Sequence, residues 1–168
     1  MRILLESASA STITAALATR MVDGAYVSAA ALDRDAFGAD PAEHLATLAK
    51  RLTPPLYATV AAVVTDELYR QGRELARAVD DVIIVLPCVD DGLSALRQLA
   101  TEGVRTAASL VTTPVQALLA AKSGAHAVCI AVEALDQAGH DATAVVRDAA
   151  AVFQRHGVPC DVIAVATD

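Results

Sequence analysis

The chain has 168 residues, a formal net charge of −7, 55% apolar residues and only 3% aromatics, with no tryptophan. That length is one domain, expected over 1–168, with a core filled mainly by small side chains such as Ala and Val, as regular βα layers require. The acidic balance without a Lys/Arg stripe excludes nucleic-acid backbone binding, and no apolar run nears the roughly 18 residues that cross a bilayer.

Strand-like segments fall at 2–6 (RILLE), 25–30 (AYVSAA), 56–61 (LYATVA), 81–87 (DVIIVLP), 106–111 (TAASLV), 126–132 (HAVCIAV) and 161–167 (DVIAVAT). Several are apolar on both parities, the pattern of parallel strands covered on both faces. Helix punctuation stands between them. Asp40-Pro41 with Glu43, and Thr113-Pro114 with Gln116, place a capping side chain, a first-turn proline and a polar third residue in order. Asp90 and Asp91 are expected to cap the helix beginning GLSAL, and Asp141 the helix ending at Arg155-His156-Gly157. Gly24, Gly103, Gly124 and Gly157 are expected to close helices before the next strand.

Neither GxGxxG after the first strand nor GxxxxGK[ST] occurs, which removes the nucleotide fingerprints of open sheets. The expectation is an α/β fold of the (β/α)8 TIM-barrel type, incomplete, with about seven βα strands. The start MRILLESAS lacks the long apolar core of a signal peptide. Cys88, Cys129 and Cys160 are odd in number and carry no CxxC spacing. Together these predict a reduced, cytoplasmic setting. No HxxxH or HExxH spacing suggests a metal, and no cofactor is expected.

The segments DGAYVSAAAL, DDVIIVLPCVDDGLSALRQLATEGVRT, QALLAAKSGA and VEALDQAGHD, in that order and spacing, resemble the transaldolase and fructose-6-phosphate aldolase family over nearly the whole chain. The resemblance implies a barrel in which a strand-four lysine forms an imine with a ketose phosphate. Here that position is Val85, and an imine requires an amine. The chain's two lysines, Lys50 and Lys122, both fall at helix ends. Other positions that match the family's motifs carry Glu6 for an aspartate, Ser28-Ala29 for Asn-Pro, and Thr59 for a strand-three polar residue. Ser109 replaces a threonine, Ala131 an aromatic hydroxyl, and Ala134 a basic residue that resembles a phosphate contact.

Candidate site residues follow. Glu6 shares parity with Leu4 at the end of strand one and is either a general acid or base, or a rim carboxylate. Thr59 and Ser109 are candidate orienting hydroxyls, and Ser28, Thr112 and Cys88 candidate ligand contacts. The plain alternative is that such hydroxyls bond their own backbone or a buried water. Cys88 reads chiefly as a structural thiol, His44 as a solvated helix residue, and His126 as a residue at the strand floor.

An eighth strand has no counterpart in the sequence, and bare sheet edges invite association, so a homo-oligomer completing the barrel is expected. Three functional readings stand side by side. One is a small-molecule-binding barrel or pseudoenzyme for a polar, sugar-phosphate-like metabolite. The second is an enzyme with altered lyase chemistry through Glu6, and the third a structural or regulatory subunit.

Overall fold

The computed structural model describes residues 3–52 and 55–165. Its elements run β1(Leu4–Glu6), α1(Ala10–Ala18), β2(Gly24–Val27), α2(Ala29–Asp35), α3(Pro41–Arg51), β3(Leu56–Thr59), α4(Thr65–Ala78), β4(Val82–Pro87), α5(Asp90–Thr101), β5(Thr106–Val111), α6(Pro114–Lys122), β6(Ala127–Ala131), α7(Val132–Gln137), α8(Ala142–His156) and β7(Asp161–Val165). The sheet order is β1-β2-β3-β4-β5-β6-β7, and the recorded pairs are parallel. A doubly wound sheet reverses its strand order at a switch point. This order never reverses, so crossovers of one hand place their helices on one side of the sheet. The fold is therefore an incomplete (β/α) barrel, as the sequence predicted.

By contacts the chain divides into two compact units, one within Met1–Ala62 and Arg70–Val85, the other within Val63–Tyr69 and Leu86–Asp168. In the first unit, the register Glu6↔Tyr26, Tyr26↔Tyr57 and Tyr57↔Ile83 fixes which residues share a face. Ala25, Val27, Leu56, Ala58, Val82 and Ile84 take one face and are all buried. Helix residues Ile13, Leu45 and Leu48 are equally enclosed. Glu6, Tyr26, Tyr57, Thr59, Ile83 and Val85 take the opposite face. In the second unit Ala107, Ala108, Val128 and Ile130 are fully enclosed, as are Leu96 and Leu99 of α5 and Ala117 and Ala120 of α6. The first layer mixes Ala and Val with Leu and Ile, whereas alanines take half of the enclosed positions named in the second, where helix and sheet pack closely.

Most caps form as their sequences foretold. Asp40 accepts from the Glu43 N–H at 2.9 Å, Thr113 and Gln116 form a capping box, and Asp141 caps α8. Two expectations fail. Helix α5 begins at Asp90 with Val89 as its N-cap and no side-chain cap bond. Asp91 instead accepts from the Thr65 N–H at 2.9 Å and from its hydroxyl at 2.5 Å, and so ties the start of α4 to α5. Gly24 does not close a helix but opens β2, where a Cβ would lie 2.6 Å from the Pro55 carbonyl oxygen. That strand start has room only for hydrogen. Helices α2 and α7 were not foreseen, because both are short and follow their strands with almost no connecting residues.

Candidate functional site

In the first unit the exposed end of the sheet face is built by β1, β2 and β3. Ser28 ends the extended run of β2 and is also the N-cap of α2, where its Oγ accepts from the Ala31 N–H at 3.0 Å. The hydroxyl is thereby aimed, and it donates to Glu6 Oε1 at 2.5 Å. Such a charge-assisted bond is short and orients the carboxylate. Glu6 and Ser28, both named as candidates from the sequence, are hydrogen-bonded partners at neighbouring strand ends. Thr59, one step beyond the Val27↔Ala58 pair, lies on the same face and opposite Val85. Its Oγ1 is buried with no hydrogen-bond partner. An orphaned buried hydroxyl costs roughly 1–3 kcal/mol unless something fills the gap. Val85 is 1% exposed and offers that face only methyl groups.

Residues that the sequence did not single out hold this corner in place. Asp35, at the end of α2, accepts from the Ser7 hydroxyl at 2.7 Å and the Ala8 N–H at 2.8 Å, and pairs with Arg34 at 2.8 Å. The bonds from Arg34, then Ser7, then Ala8 hold the Asp35 carboxyl well below the usual carboxylate range. The same Arg34 reaches the Glu6 carbonyl oxygen at 3.4 Å. His44 is half-buried rather than solvated, with Nε2 2.7 Å from the Ala8 carbonyl oxygen. These contacts fasten the β1–α1 turn directly behind Glu6. The partners lie 27 to 36 residues apart in sequence, so no local pattern announces them.

The second unit places the remaining candidates around the ends of β4 and β5. Ser109 donates to the Leu86 carbonyl at 3.3 Å, and its own carbonyl accepts from the Cys88 N–H at 2.8 Å. Strand β5 carries a register shift between Ala108 and Val111, and Leu110 within it has φ +57 while 60% exposed. The bulge breaks the strand's alternation, so parity along β5 does not assign Ser109 to either face of the sheet. The Thr112 hydroxyl and N–H both donate to Gln116 Oε1, at 2.8 and 2.9 Å, within the capping structure of α6. Burial pushes the Cys88 thiol up, and its Sγ contacts the Gln116 carbonyl at 3.7 Å, which suits a packed thiol rather than a nucleophile. Burial also raises Cys129 to about 12, with a smaller push from Cys160. Ala131 ends β6 and is the N-cap of α7, with no polar group to offer.

Lys50 lies in the last turn of α3 and Lys122 in the last turn of α6. The last turn of a crossover helix delivers the chain to the start of the next strand, whereas Glu6, Ser28 and Thr59 stand at strand ends. An 11-residue helix such as α3 puts about 16 Å between its own ends. Among the described residues no cluster of three His, Cys, Asp or Glu side chains is placed to hold a metal ion, and no helix is long and apolar enough to cross a membrane.

A sequence model described as Transaldolase/Fructose-6-phosphate aldolase matches residues 10–167. A protein named "Probable transaldolase" from Clostridium perfringens (strain 13 / Type A) is 32% identical over 163 residues, covering 97% of this chain and 75% of its own length. Proteins of the same name from Prosthecochloris aestuarii and Caulobacter sp. (strain K31) are each 32% identical, over 97% and 98% of this chain and 76% and 75% of their own lengths.

Proposed function

The chain belongs to the transaldolase and fructose-6-phosphate aldolase family, and we propose that it binds a small polar metabolite at Glu6, Ser28 and Thr59 without forming an imine. The observation that carries this reading is the buried, unpartnered Thr59 hydroxyl on the same strand face as the Ser28-oriented Glu6 carboxylate. A buried hydroxyl that folding leaves unpaired is a place where a ligand hydroxyl or a water gains more than it would in bulk solvent. Imine formation needs an amine on that face, and the residue in register with Thr59 is Val85. Both lysines belong to the final turns of helices, which supports the same conclusion.

Two experiments test it. Borohydride treatment in the presence of dihydroxyacetone or fructose 6-phosphate leaves the protein mass unchanged; a covalent adduct on any lysine overturns the reading. A metabolite screen by thermal shift finds a polyol or keto-sugar whose stabilisation is lost in Glu6→Gln and Thr59→Val. A shift retained by both variants removes these residues from the site.

The hydrogen bond from Ser28 also favours a second reading, in which an oriented Glu6 carboxylate transfers a proton in a lyase-type step. Turnover of a bound metabolite that disappears in Glu6→Gln, with binding kept, would select it. Self-association through the terminal strands β1 and β7 of the sheet order belongs to the same proposal, and sedimentation of the purified chain as a monomer would remove it.

A further inference from the structure

A cavity of about 490 Å³ lies wholly within the first unit, between α2, the start of α3, the end of β3 and the middle of α4. It opens among helices, where Leu32, Leu45 and Leu75 line it, and at its strand end it is lined by Thr59, the residue that also borders the Glu6 face. Leu45 and Leu75 are buried, at 1% and 8% exposure, so they form a fixed apolar floor. The volume is that of a small-molecule pocket rather than a packing defect.

The charged residues that line the cavity are all acidic. Asp33, Asp40 and Glu74 line it, and no Lys, Arg or His does. Two of the three carboxylates are already engaged. Asp40 caps α3 through the Glu43 N–H, and Glu74 pairs with Arg70 at 2.9 Å. Asp33 is exposed and, among the described residues, has neither a hydrogen bond nor an ion pair. The carboxylates do not converge as metal ligands do. Phe37 stands between two lining residues, Ala36 and Gly38, with 90% of its surface in water. It is the most exposed large apolar side chain among the described residues.

From this arrangement we propose that the cavity binds a small organic ammonium compound with an apolar body. The alkyl or aryl part lies on Leu32, Leu45 and Leu75, and the ammonium group meets the unpaired Asp33 carboxylate. Phe37 closes over the ligand, and its ring face adds a cation–π contact. An anionic ligand, a sugar phosphate included, is disfavoured because every charge that lines the cavity repels it.

Calorimetry with phenethylamine, 2-phenylethanol and phenylacetate separates the terms, since the three share a ring and differ in charge. Phenethylamine should bind saturably, 2-phenylethanol at least about fivefold more weakly, and phenylacetate not at all. Asp33→Asn should bring phenethylamine down to the level of the alcohol without changing the alcohol itself. Phe37→Ala should weaken phenethylamine by a further severalfold. Both positions are exposed, so the variants keep their unliganded melting temperature, which is measured alongside. Equal affinity for amine and alcohol, an unchanged amine affinity in Asp33→Asn, or no amine binding up to millimolar concentration would each overturn the proposal. Glu6→Gln should leave phenethylamine binding unaltered, so failure here is distinguishable from failure at the Glu6 face.

Discussion

Val85→Lys places an amine where the family resemblance puts one and where this chain has a buried valine. Val85 is 1% exposed, its neighbours along β4 are Ile84 and Leu86 at 0%, and its register partner is Thr59. An ammonium in such a setting loses its hydration, and burial of this degree lowers a lysine pKa by about 3 units or more from 10.4. Three units correspond to about 4 kcal/mol. The sign is fixed by linkage: a depressed folded-state pKa means that the unfolded chain binds the proton more tightly. The variant is therefore most stable above about pH 10 and loses about 4 kcal/mol as pH falls toward 7, with no further loss below the folded pKa. Urea denaturation of the variant and the parent between pH 6 and 10 measures this. The amine, about half neutral near pH 7.5, should then be trapped by borohydride with dihydroxyacetone, and peptide mapping should locate the adduct at position 85. A urea midpoint that does not vary with pH would show that position 85 is solvated and would refute the burial argument. If the variant is too unstable at pH 7, the same trapping at pH 9 tests the reach of the amine. A folded variant that stays untrapped there would refute the orientation.

Three further outcomes test the scaffold. Gly92→Ala should destabilise by about 1–3 kcal/mol, because a Cβ there would lie 1.9 Å from the Pro87 carbonyl oxygen; helix propensity alone predicts a gain of up to about 1 kcal/mol, so the sign in a urea titration decides. Asp35→Asn should cost about 1–3 kcal/mol at pH 7. Because the folded Asp35 pKa is depressed, that cost is fully present above about pH 4 and shrinks as pH falls toward the folded value. Equal destabilisation at pH 3 and pH 7 would contradict the Ser7–Asp35–Arg34 network. Leu110→Gly should raise stability by up to about 1 kcal/mol in thermal unfolding, since it relieves a left-handed leucine that is 60% exposed; a loss of more than that would mean the side chain is held by contacts.

Alternation of apolar runs with capped helices was enough to assign the βα order and the seven strands, while the family resemblance rested on four matching segments. Each of those signals is local: a cap spans three residues, and a buried strand repeats every two. The caps at Asp40, Thr113 and Asp141 were legible for that reason. The pairing of Glu6 with Ser28 could be anticipated from strand parity, because each lies at the end of a short strand without irregularity. Ser109 could not be placed in that way, because the bulge that ends at Leu110 is a compromise between strand pairing and loop closure that no residue pattern records. Asp91 shows the same limit. Its sequence position is that of a cap, yet Thr65, 26 residues away, offers two donors and wins the carboxylate. The Asp35 clamp behind Glu6, the orphaned Thr59 hydroxyl and the cavity beside Phe37 also depend on groups brought together only by packing. The sequence by itself determined which segments become strands and helices and that the strand-four position holds no amine. Which polar groups find partners, and which are left waiting for one, is a property of distances between remote residues and was decided only by the tertiary structure.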